Sequence, residues 1–443
     1  AIVNRQGTII DVTFTDSKAR VRASRIRESD FRPITAELTF YADLPDKFNQ
    51  QINHSRINLL DNMQKGRLIT TLEDATANYP YMYWGDVVQQ ACDAICDAFR
   101  EGSSPIRMTD LGEDPTPRSY MLSPFFTRSV NNLVYSPGGS GKSLWALLGC
   151  IILDRNLKNV HGMSAYGKTN CLYLDWEEDV QVFKSRLFSL GKGLGLENPN
   201  ESGILWKRME RSLPDEVDGI SKLCADNNIT YVVCDSVSPA LGGSANDQEV
   251  IERYVYALRA LGDNVTTVSL DHTNKEGTLY GSSYKMARAR QVYEIKLVDS
   301  IDLGEKGGQI EIVLYHEKTN DSKKRSPRGF KITFDDKPIE NSFESYTDSI
   351  RFETMKLGSN IKALKTLSIQ GLCLELIKEE GSQSINELAR SIGIIRSEDI
   401  SPYAVKSLLN GYNSLTISDD DMVSLTHDHF DEMVETIDEV QNG

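Results

Sequence analysis

The stretch from Asn132 to Leu148, Asn-Leu-Val-Tyr-Ser-Pro-Gly-Gly-Ser-Gly-Lys-Ser-Leu-Trp-Ala-Leu-Leu, constrains this chain more than any other. A short apolar strand runs into a glycine-rich turn, and Gly141-Lys142-Ser143 opens an apolar helix, the layout of a loop that cradles nucleotide phosphates. Gly138, Gly139, Ser140 and Gly141 allow a nest of backbone N–H groups, and the first turn of the helix, through Leu144, adds a positive dipole end. Lys142 is placed to reach the β- and γ-phosphates of a nucleoside triphosphate, and the Ser143 hydroxyl to hold Mg²⁺. Ser136 stands where the pattern G-x-x-x-x-G-K-[ST] has glycine, and a small residue there keeps the turn possible. The competing reading, a glycine-rich turn with an incidental lysine, is disfavoured by the strand-turn-helix context.

At 443 residues the chain predicts two to four units with ample core. No apolar window of about 18 residues could span a membrane and no leader is evident, which predicts a cytoplasmic protein without membrane contact. Seven cysteines are scattered, with no CxxC pair and no Cys/His cluster at zinc spacing, so neither a disulfide framework nor a structural metal is indicated. Cys92 and Cys96 are expected as small buried residues on a helix. The net charge of −15 argues against a surface coated for duplex DNA, though not against a basic pore. Residues 361–443 carry 6 Lys and Arg against 15 Asp and Glu, a net of −9.

Near the N-terminus, Thr8 to Phe14 and Ala19 to Ala23 alternate as a hairpin about Asp16-Ser17, with a further strand from Ala36 to Tyr41. Lys18, Arg20, Arg22, Arg25, Arg27 and Arg32 crowd there, either as a solvated sheet face or as a nucleic-acid contact. Residues 55–101 read as helical, with Val87, Val88, Ala91, Ile95 and Phe99 as a buried stripe. Gly102 to Pro105 breaks that helix, and 110–117 forms a polar connector.

From Leu122 to Asp336 strands and helices alternate, the signature of an α/β unit with a parallel sheet. Ligands of such sheets bind beyond the carboxyl ends of the strands. Thr169 to Trp176 ends in Glu177-Glu178-Asp179, which makes Glu177 the candidate base for an attacking water; the alternative is that these acids solvate a loop and cap the helix from Gln181 to Leu190. Thr230 to Cys234 closes at Asp235, a carboxylate that can act on Mg²⁺ through its water shell. Thr266 to Leu270 delivers His272, read either as a γ-phosphate sensor or as an ordinary strand-end histidine.

This order of motifs, with Tyr173 to Asp179, Val233 to Ser236, and His272-Thr273-Asn274-Lys275 followed by Gly281-Ser282-Ser283, resembles the RecA/DnaB-type ATPases. It is most similar in look to plasmid-type hexameric replicative helicases and AAA-family ATPases of phages and mobile elements. The resemblance spans about Leu122 to Asp336. It implies ATP and Mg²⁺ as cofactors, Lys142 and Ser143 on phosphate and metal, Glu177 as catalytic glutamate, Asp235 at Mg²⁺ and His272 as sensor. Arg288 and Arg290 are expected to alternate on a strand after the Gly281-Ser282-Ser283 loop, and Arg290 matches the place of an arginine that reaches a neighbouring subunit's nucleotide, the alternative being an ion pair with Glu294. In Glu317-Lys318-Thr319-Asn320, Thr319 replaces a second trans-acting arginine, leaving Lys318 as a partial substitute. The loops Pro239 to Asp247 and Thr273 to Tyr284 would face a central pore, with Lys275 and Lys285 as phosphate contacts or as ordinary surface lysines.

Beyond two apolar strands between Gly308 and Phe334, residues 337–360 read as a polar linker. In 361–443, Ile361 to Lys378 is helical, Ser384 to Glu387 is a capping box opening a second helix, and Ser401-Pro402 opens a third. Ser414 to Ile417 and Met422 to Leu425 form a wing around Asp419-Asp420-Asp421, and Phe430, Met433, Val434, Ile437 and Val440 stripe a last helix. The expected fold is therefore α/β: a RecA-like core (122–336), an N-terminal mixed β/α domain (1–121), and a C-terminal winged-helix-like domain (361–443) whose acidity favours a protein partner over DNA. The function implied is a ring-forming ATPase, a homo-hexamer translocating on or unwinding single-stranded nucleic acid in phage or mobile-element replication. An ATP-dependent switch or loader is the alternative; a small-molecule kinase lacks an evident acceptor pocket or lid arginines.

Overall fold

The computed structural model describes all residues except 29–32, 46, 80–82, 103–106, 112–118, 305–306, 321–323, 341–343, 413 and 427–443. Alternating apolar residues build an N-terminal antiparallel meander of β1 (Ile2–Gln6), β2 (Ile9–Phe14), β3 (Ala19–Glu28), β4 (Ile34–Leu44) and β5 (Lys47–Asn58) in sequence order. Val12, Val21, Leu38 and Phe40 are fully buried beneath α1 (Asn62–Ala75) and α2 (Trp84–Glu101). The α2 stripe is as expected: Val87, Val88, Ala91 and Ile95 are buried, Phe99 packs partly against them, and Gly102 ends the helix. Each large aliphatic side chain so buried contributes about 1.5–3 kcal/mol. Cys92 and Cys96 are buried beside them. One expectation fails here: residues 55–58 belong to β5, and the helix starts at Asn62, where the Asp61 carboxylate caps Met63 and Gln64. The run Asn-Gln-Gln-Ile-Asn-His-Ser lacks strand-like apolar alternation because β5 is the sheet edge, where one face and one row of backbone groups meet water. Arg32 and residues 103–105 lie outside the described residues.

The central unit opens with a small sheet of β6 (Tyr120–Ser123), β7 (Phe126–Thr127) and, later in the chain, β9 (Ser164–Ala165). Its large sheet takes in β8 (Asn131–Ser136), β10 (Cys171–Asp175), β11 (Leu205–Arg208), β12 (Tyr231–Asp235), β13 (Thr266–His272), β14 (Gln291–Asp302), β15 (Gly307–Thr319), β16 (Arg328–Pro338) and β17 (Ser345–Met355). The order is β11-β10-β12-β13-β8-β14-β15-β16-β17, parallel from β11 to β14 and antiparallel beyond. The helices connecting the parallel strands are α3 (Lys142–Arg155), α4 (Val180–Gly193), α5 (Leu213–Asp226), α6 (Val237–Leu241), α7 (Gln248–Arg259) and α8 (Tyr284–Arg288). They divide the core between the two sheet faces: Trp145, Leu148 and Ile152 of α3 pack with Tyr173 and Val233, while Ile220, Ile251 and Leu258 pack with Leu172 and Val232 on the other side.

Residues 337–360 are not the polar linker expected. They contain β17, paired with β16 from Gly329↔Met355 to Pro338↔Ser345, with Ile350 and Phe352 buried against the core. Arg351 and Glu353 occupy the strand's outer face, while Asp348 is buried on the side of Ile350 and Phe352, where Lys192 of α4 holds it at 2.5 Å and Lys337 at 2.9 Å. The last unit comprises α9 (Ile361–Thr366), α10 (Ile369–Glu380), β18 (Gln383–Ser384), α11 (Ile385–Arg396), α12 (Pro402–Leu409), β19 (Leu415–Ile417) and β20 (Met422–Leu425), the strands ordered β18-β20-β19. Ser384 and Glu387 form the capping box read from their spacing. Val313 and Tyr315 of β15 belong to this unit's core, and Tyr315 Oη shares a 2.6 Å hydrogen bond with Thr366 Oγ1. The striped segment from Phe430 to Val440 lies outside the described residues. Among the described residues no helix is long and apolar enough to cross a membrane.

The crowded arginines of β3 meet neither solvent alone nor an open basic surface. Arg22, with 14% side-chain exposure, bridges Asp11 at 2.9 Å and Asp226 at the end of α5. Arg27 approaches Asp218 at 3.7 Å, and Arg25 pairs with Glu37. Beside them Thr8 N–H donates to Ser221 Oγ at 3.2 Å, and a Cβ on Gly7, at φ +59°, would sit 2.2 Å from the Ala260 carbonyl oxygen. These contacts dock the N-terminal sheet on α5 and the end of α7. Asp226→Asn is expected to loosen this docking without touching the nucleotide site: limited proteolysis between residues 100 and 120 accelerates while nucleotide affinity stays at the parent value.

Candidate nucleotide site

Four parallel strands deliver the candidate residues to one edge. β10, β12, β13 and β8 are neighbours in that order, with Asp175 opposite Asp235 and His272 opposite Ser136, so Glu177, Asp235, His272 and the glycine-rich loop all leave the sheet at its carboxyl ends. Ser136, where glycine is usual, completes β8 with its side chain buried and its carbonyl accepting from Thr273 N–H. Pro137 O accepts from Ser136 Oγ at 3.0 Å and Ser140 Oγ at 2.8 Å, which folds the turn. Gly138 and Gly139 are exposed above it.

Gly141 N-caps α3 at φ +74°, and a Cβ there would lie 2.9 Å from Ile332 Cδ1 and 3.1 Å from Ile310 Cδ1. Both the left-handed backbone and the packing require glycine. No side chain caps this helix, so the N–H groups of its first turn, Lys142, Ser143 and Leu144, point at the loop with their donors available to an anion. Leu144 itself is core, 9% exposed. Lys142 is buried at 6%, held inside the turn rather than waving in solvent.

Glu177 Oε1 accepts from Ser236 Oγ at 2.6 Å and lies 3.3 Å from His272 Nε2. Burial pushes its pKa up, but the hydrogen bonds from Ser236 and His272 and the charges of His272 and Lys142 outweigh that and hold it below the ordinary glutamate value. The cap alternative falls to a neighbour: Asp179 accepts from Gln181 N–H at 2.7 Å and Val182 N–H at 3.0 Å and opens α4. Glu178 turns away to Arg186 at 2.9 Å. Asp175 accepts the Glu177 and Glu178 amides at 3.0 Å each and fixes the path of this loop.

Asp235 is 4% exposed. Its Oδ2 accepts from Tyr173 Oη at 2.6 Å, while Oδ1 is buried without a hydrogen-bond partner. Burial raises its pKa, opposed by the charge of Lys142 and the hydroxyls of Ser143 and Tyr173. A buried carboxylate oxygen left open beside the phosphate loop fits a divalent cation reached through its water shell, so this chain's residues suit Mg²⁺.

Four residues stand differently from expectation. Lys285 is not a surface contact: its ammonium is buried against Asp271, with side-chain exposures of 4% and 0%. Lys318 is not available to a neighbour, because Nζ donates to the carbonyls of Met286, Ala287 and Ala289 at 2.9, 2.9 and 2.8 Å and caps the end of α8. Its three donors are thus spent within the chain. Arg288 and Arg290 do not alternate on a strand: Arg288 ends α8 and pairs with Glu252 at 2.7 Å, and Arg290 precedes β14. Glu294, the alternative partner for Arg290, is paired with Lys296 at 3.4 Å. Lys275 remains exposed, at the tip of a loop closed by the Thr273↔Leu279 bridge.

Sequence reasoning passed over Ser236, which positions Glu177, Tyr173, which holds Asp235, and Asp271, which accepts His272 N–H at 2.8 Å. Ser236 and Asp271 are adjacent in sequence to Asp235 and His272, and Tyr173 lies on the strand beside Asp235, opposite Val233; a hydroxyl directly after the strand-ending Asp is a signal that could have marked Ser236.

A family model described as AAA domain matches residues 100–278, a span that contains the phosphate loop, Glu177, Asp235 and His272 but not Arg290. No curated protein matches the chain. Among solved structures a KaiC-like protein from Pyrococcus horikoshii is similar at 15% identity and a TM-score of 0.36, over 54% of this chain and 100% of that one, a likeness too slight to bear on the fold. The match makes residues 100–278 similar to AAA domains, and a phosphate loop at the carboxyl edge of a parallel α/β sheet is the layout of a P-loop nucleotide-binding unit.

Proposed function

We propose that the chain hydrolyses ATP as a ring-forming motor that moves along or unwinds single-stranded nucleic acid, in the replication of a phage or mobile element. The observation that carries the hydrolytic part is the Glu177 carboxylate, held below its ordinary pKa at the carboxyl edge of the sheet between Ser236 and His272. With Oε1 so held, Oε2 is left to take a proton from an attacking water. His272, bonded to the same carboxylate, responds to whatever occupies the γ-phosphate position. Lys142 and the first-turn amides of α3 neutralise phosphate charge, and Arg290 of an adjacent copy would complete the site. Ser143 and Asp235 would hold Mg²⁺, whose charge when bound screens the β- and γ-phosphate oxygens.

The motor reading draws on the exposed loop Thr273 to Tyr280, which carries Lys275 and the half-exposed Tyr280 directly behind His272. A base can stack on such a ring while a lysine meets the backbone. The second reading, an ATP-dependent switch or loader that unwinds nothing, is favoured by one finding: burial of Lys285 leaves Lys275 as the exposed lysine of that loop in a chain of net charge −15. The last unit, with its strand-paired helices, reads as winged-helix-like and suits a protein partner, since Asp421 at the turn before β20 already engages Lys406 and Tyr403 stands 82% exposed. ATPase rate with and without single-stranded DNA separates the two: stimulation supports the motor, and an unchanged rate in a DNA-independent assembly supports the switch.

Lys142→Ala is expected to abolish nucleotide binding while the melting temperature stays within a few degrees, because the lysine's charge serves the phosphates rather than an internal ion pair. A variant that binds and hydrolyses ATP at the parent rate would overturn the phosphate-loop assignment.

A further inference from the structure

The buried ion pair of Asp271 and Lys285 takes no part in the chemistry above, yet its connections are specific. Asp271 sits on β13 directly before His272 and accepts the His272 N–H through Oδ1 at 2.8 Å, while Oδ2 holds the Lys285 ammonium. Lys285 also lies 5.9 Å from the ring centroid of Tyr280, whose N–H donates to the His272 carbonyl at 2.9 Å. It belongs to α8, which is tied at its far side by Tyr284 and Arg288 to Glu252 of α7 and by Lys318 of β15 to its last carbonyls. Two residues after α8, Arg290 has its own backbone pinned, its N–H to Asn131 O at 2.9 Å and its carbonyl to Asn320 N–H at 3.1 Å. Thus one lysine contacts the strand that carries His272 and the exposed loop, on a short helix that leads to Arg290.

A buried charge pair is poor value for stability, since apolar replacement of both partners is often neutral, whereas it is well suited to fixing two elements in one register. We propose that Lys285 is a positioning residue: through Asp271 it couples the His272 end of β13 to helix α8, so that the γ-phosphate state sensed at His272 sets the placement of Tyr280 and Arg290. This rests on the ATP-hydrolysing reading of the site. The coupled unit is compact, because β13, the loop and α8 share hydrogen bonds at both ends, and packed elements of this kind shift between discrete arrangements rather than bending continuously.

The test separates positioning from bulk stability by removing both charges at once. The Asp271→Asn/Lys285→Met double variant keeps an acceptor for His272 N–H and leaves no unpaired charge, and it is expected to melt near the parent temperature and to bind a non-hydrolysable ATP analogue with parent affinity. Its kcat is expected to fall by about tenfold or more at unchanged KM, as a misplaced but intact site would. A folded double variant with the parent kcat overturns the proposal. Hydrogen exchange on the parent protein gives a second, mutation-free reading: the analogue is expected to protect amides of residues 284–290 together with those of 272–280, and protection confined to 272–280 would show that α8 is not coupled, even if the double variant fails to fold. Glu177→Gln run in parallel tells the two levels apart, because parent turnover in that variant would remove the hydrolytic reading itself.

Discussion

Glu177→Gln is expected to bind ATP as the parent does and to turn it over at least about 10²-fold more slowly. The amide preserves the size of the side chain and can still accept from Ser236 Oγ through its carbonyl oxygen, so the 2.6 Å contact that seats the residue survives. What is lost is the negative charge and the basic oxygen that would accept a proton from water. On the proposed reading nucleotide affinity is set elsewhere, by Lys142 and the first turn of α3, so binding and chemistry are expected to part. Glu178→Gln is expected to be nearly silent, since Glu178 is engaged with Arg186 at 2.9 Å on the outside of the loop; equal loss in that variant with Glu177→Gln harmless would show the wrong acid chosen.

The pH dependence follows from the same contacts. Burial raises the Glu177 pKa, yet Ser236, His272 and Lys142 bring it below the ordinary value of 4.5, so the carboxylate persists through mildly acidic solution. A group whose folded pKa is depressed contributes stability that is present above its unfolded pKa and is lost as pH falls through the folded one. Glu177 therefore adds no acid limb to kcat above about pH 4.5, and Ser236→Ala, which removes one of the contacts that lower its pKa, is expected to move any such limb upward.

Much of this site is legible in the sequence because each motif is a local event with its own signature: an apolar run, then a polar residue at a strand's carboxyl end. Lys142, Glu177, Asp235 and His272 are read one at a time, and the parallel sheet alone brings them to one edge. The errors concern residues whose role depends on distant partners. Lys285 looks like a surface lysine until β13 places Asp271 opposite it, and Lys318 looks like a neighbour's ligand until α8 ends beneath it. Strand β17 is hidden for a related reason: its outer face carries the charges that complete ion pairs with Asp335 and Lys331, so its alternation reads as a linker. The N-terminal arginines are likewise ambiguous alone, since their partners Asp218 and Asp226 lie about 200 residues away in sequence.

Arg290→Ala is expected to lower ATP turnover by about 10³-fold or more while leaving nucleotide bound, because a trans arginine stabilises charge on the transferring phosphoryl. The fold supplies the reason to look to a neighbour. β14 runs parallel to β8 with Gln291 opposite Asn132, and Arg290 N–H bonds to Asn131, so Arg290 stands at the amino edge of the sheet. The phosphate loop leaves the carboxyl edge after Ser136, and five residues of strand separate the two edges by roughly 16 Å at about 3.3 Å per residue. An arginine side chain from that edge does not cross the sheet to its own site. Mixing decides the matter. Arg290→Ala and Glu177→Gln, each inactive alone, are expected to recover part of the parent ATPase when combined, because some interfaces then join an intact Glu177 to an intact Arg290 of the adjacent copy. Demonstrated subunit exchange without recovery would remove Arg290 from the site and leave it a structural residue at the start of β14.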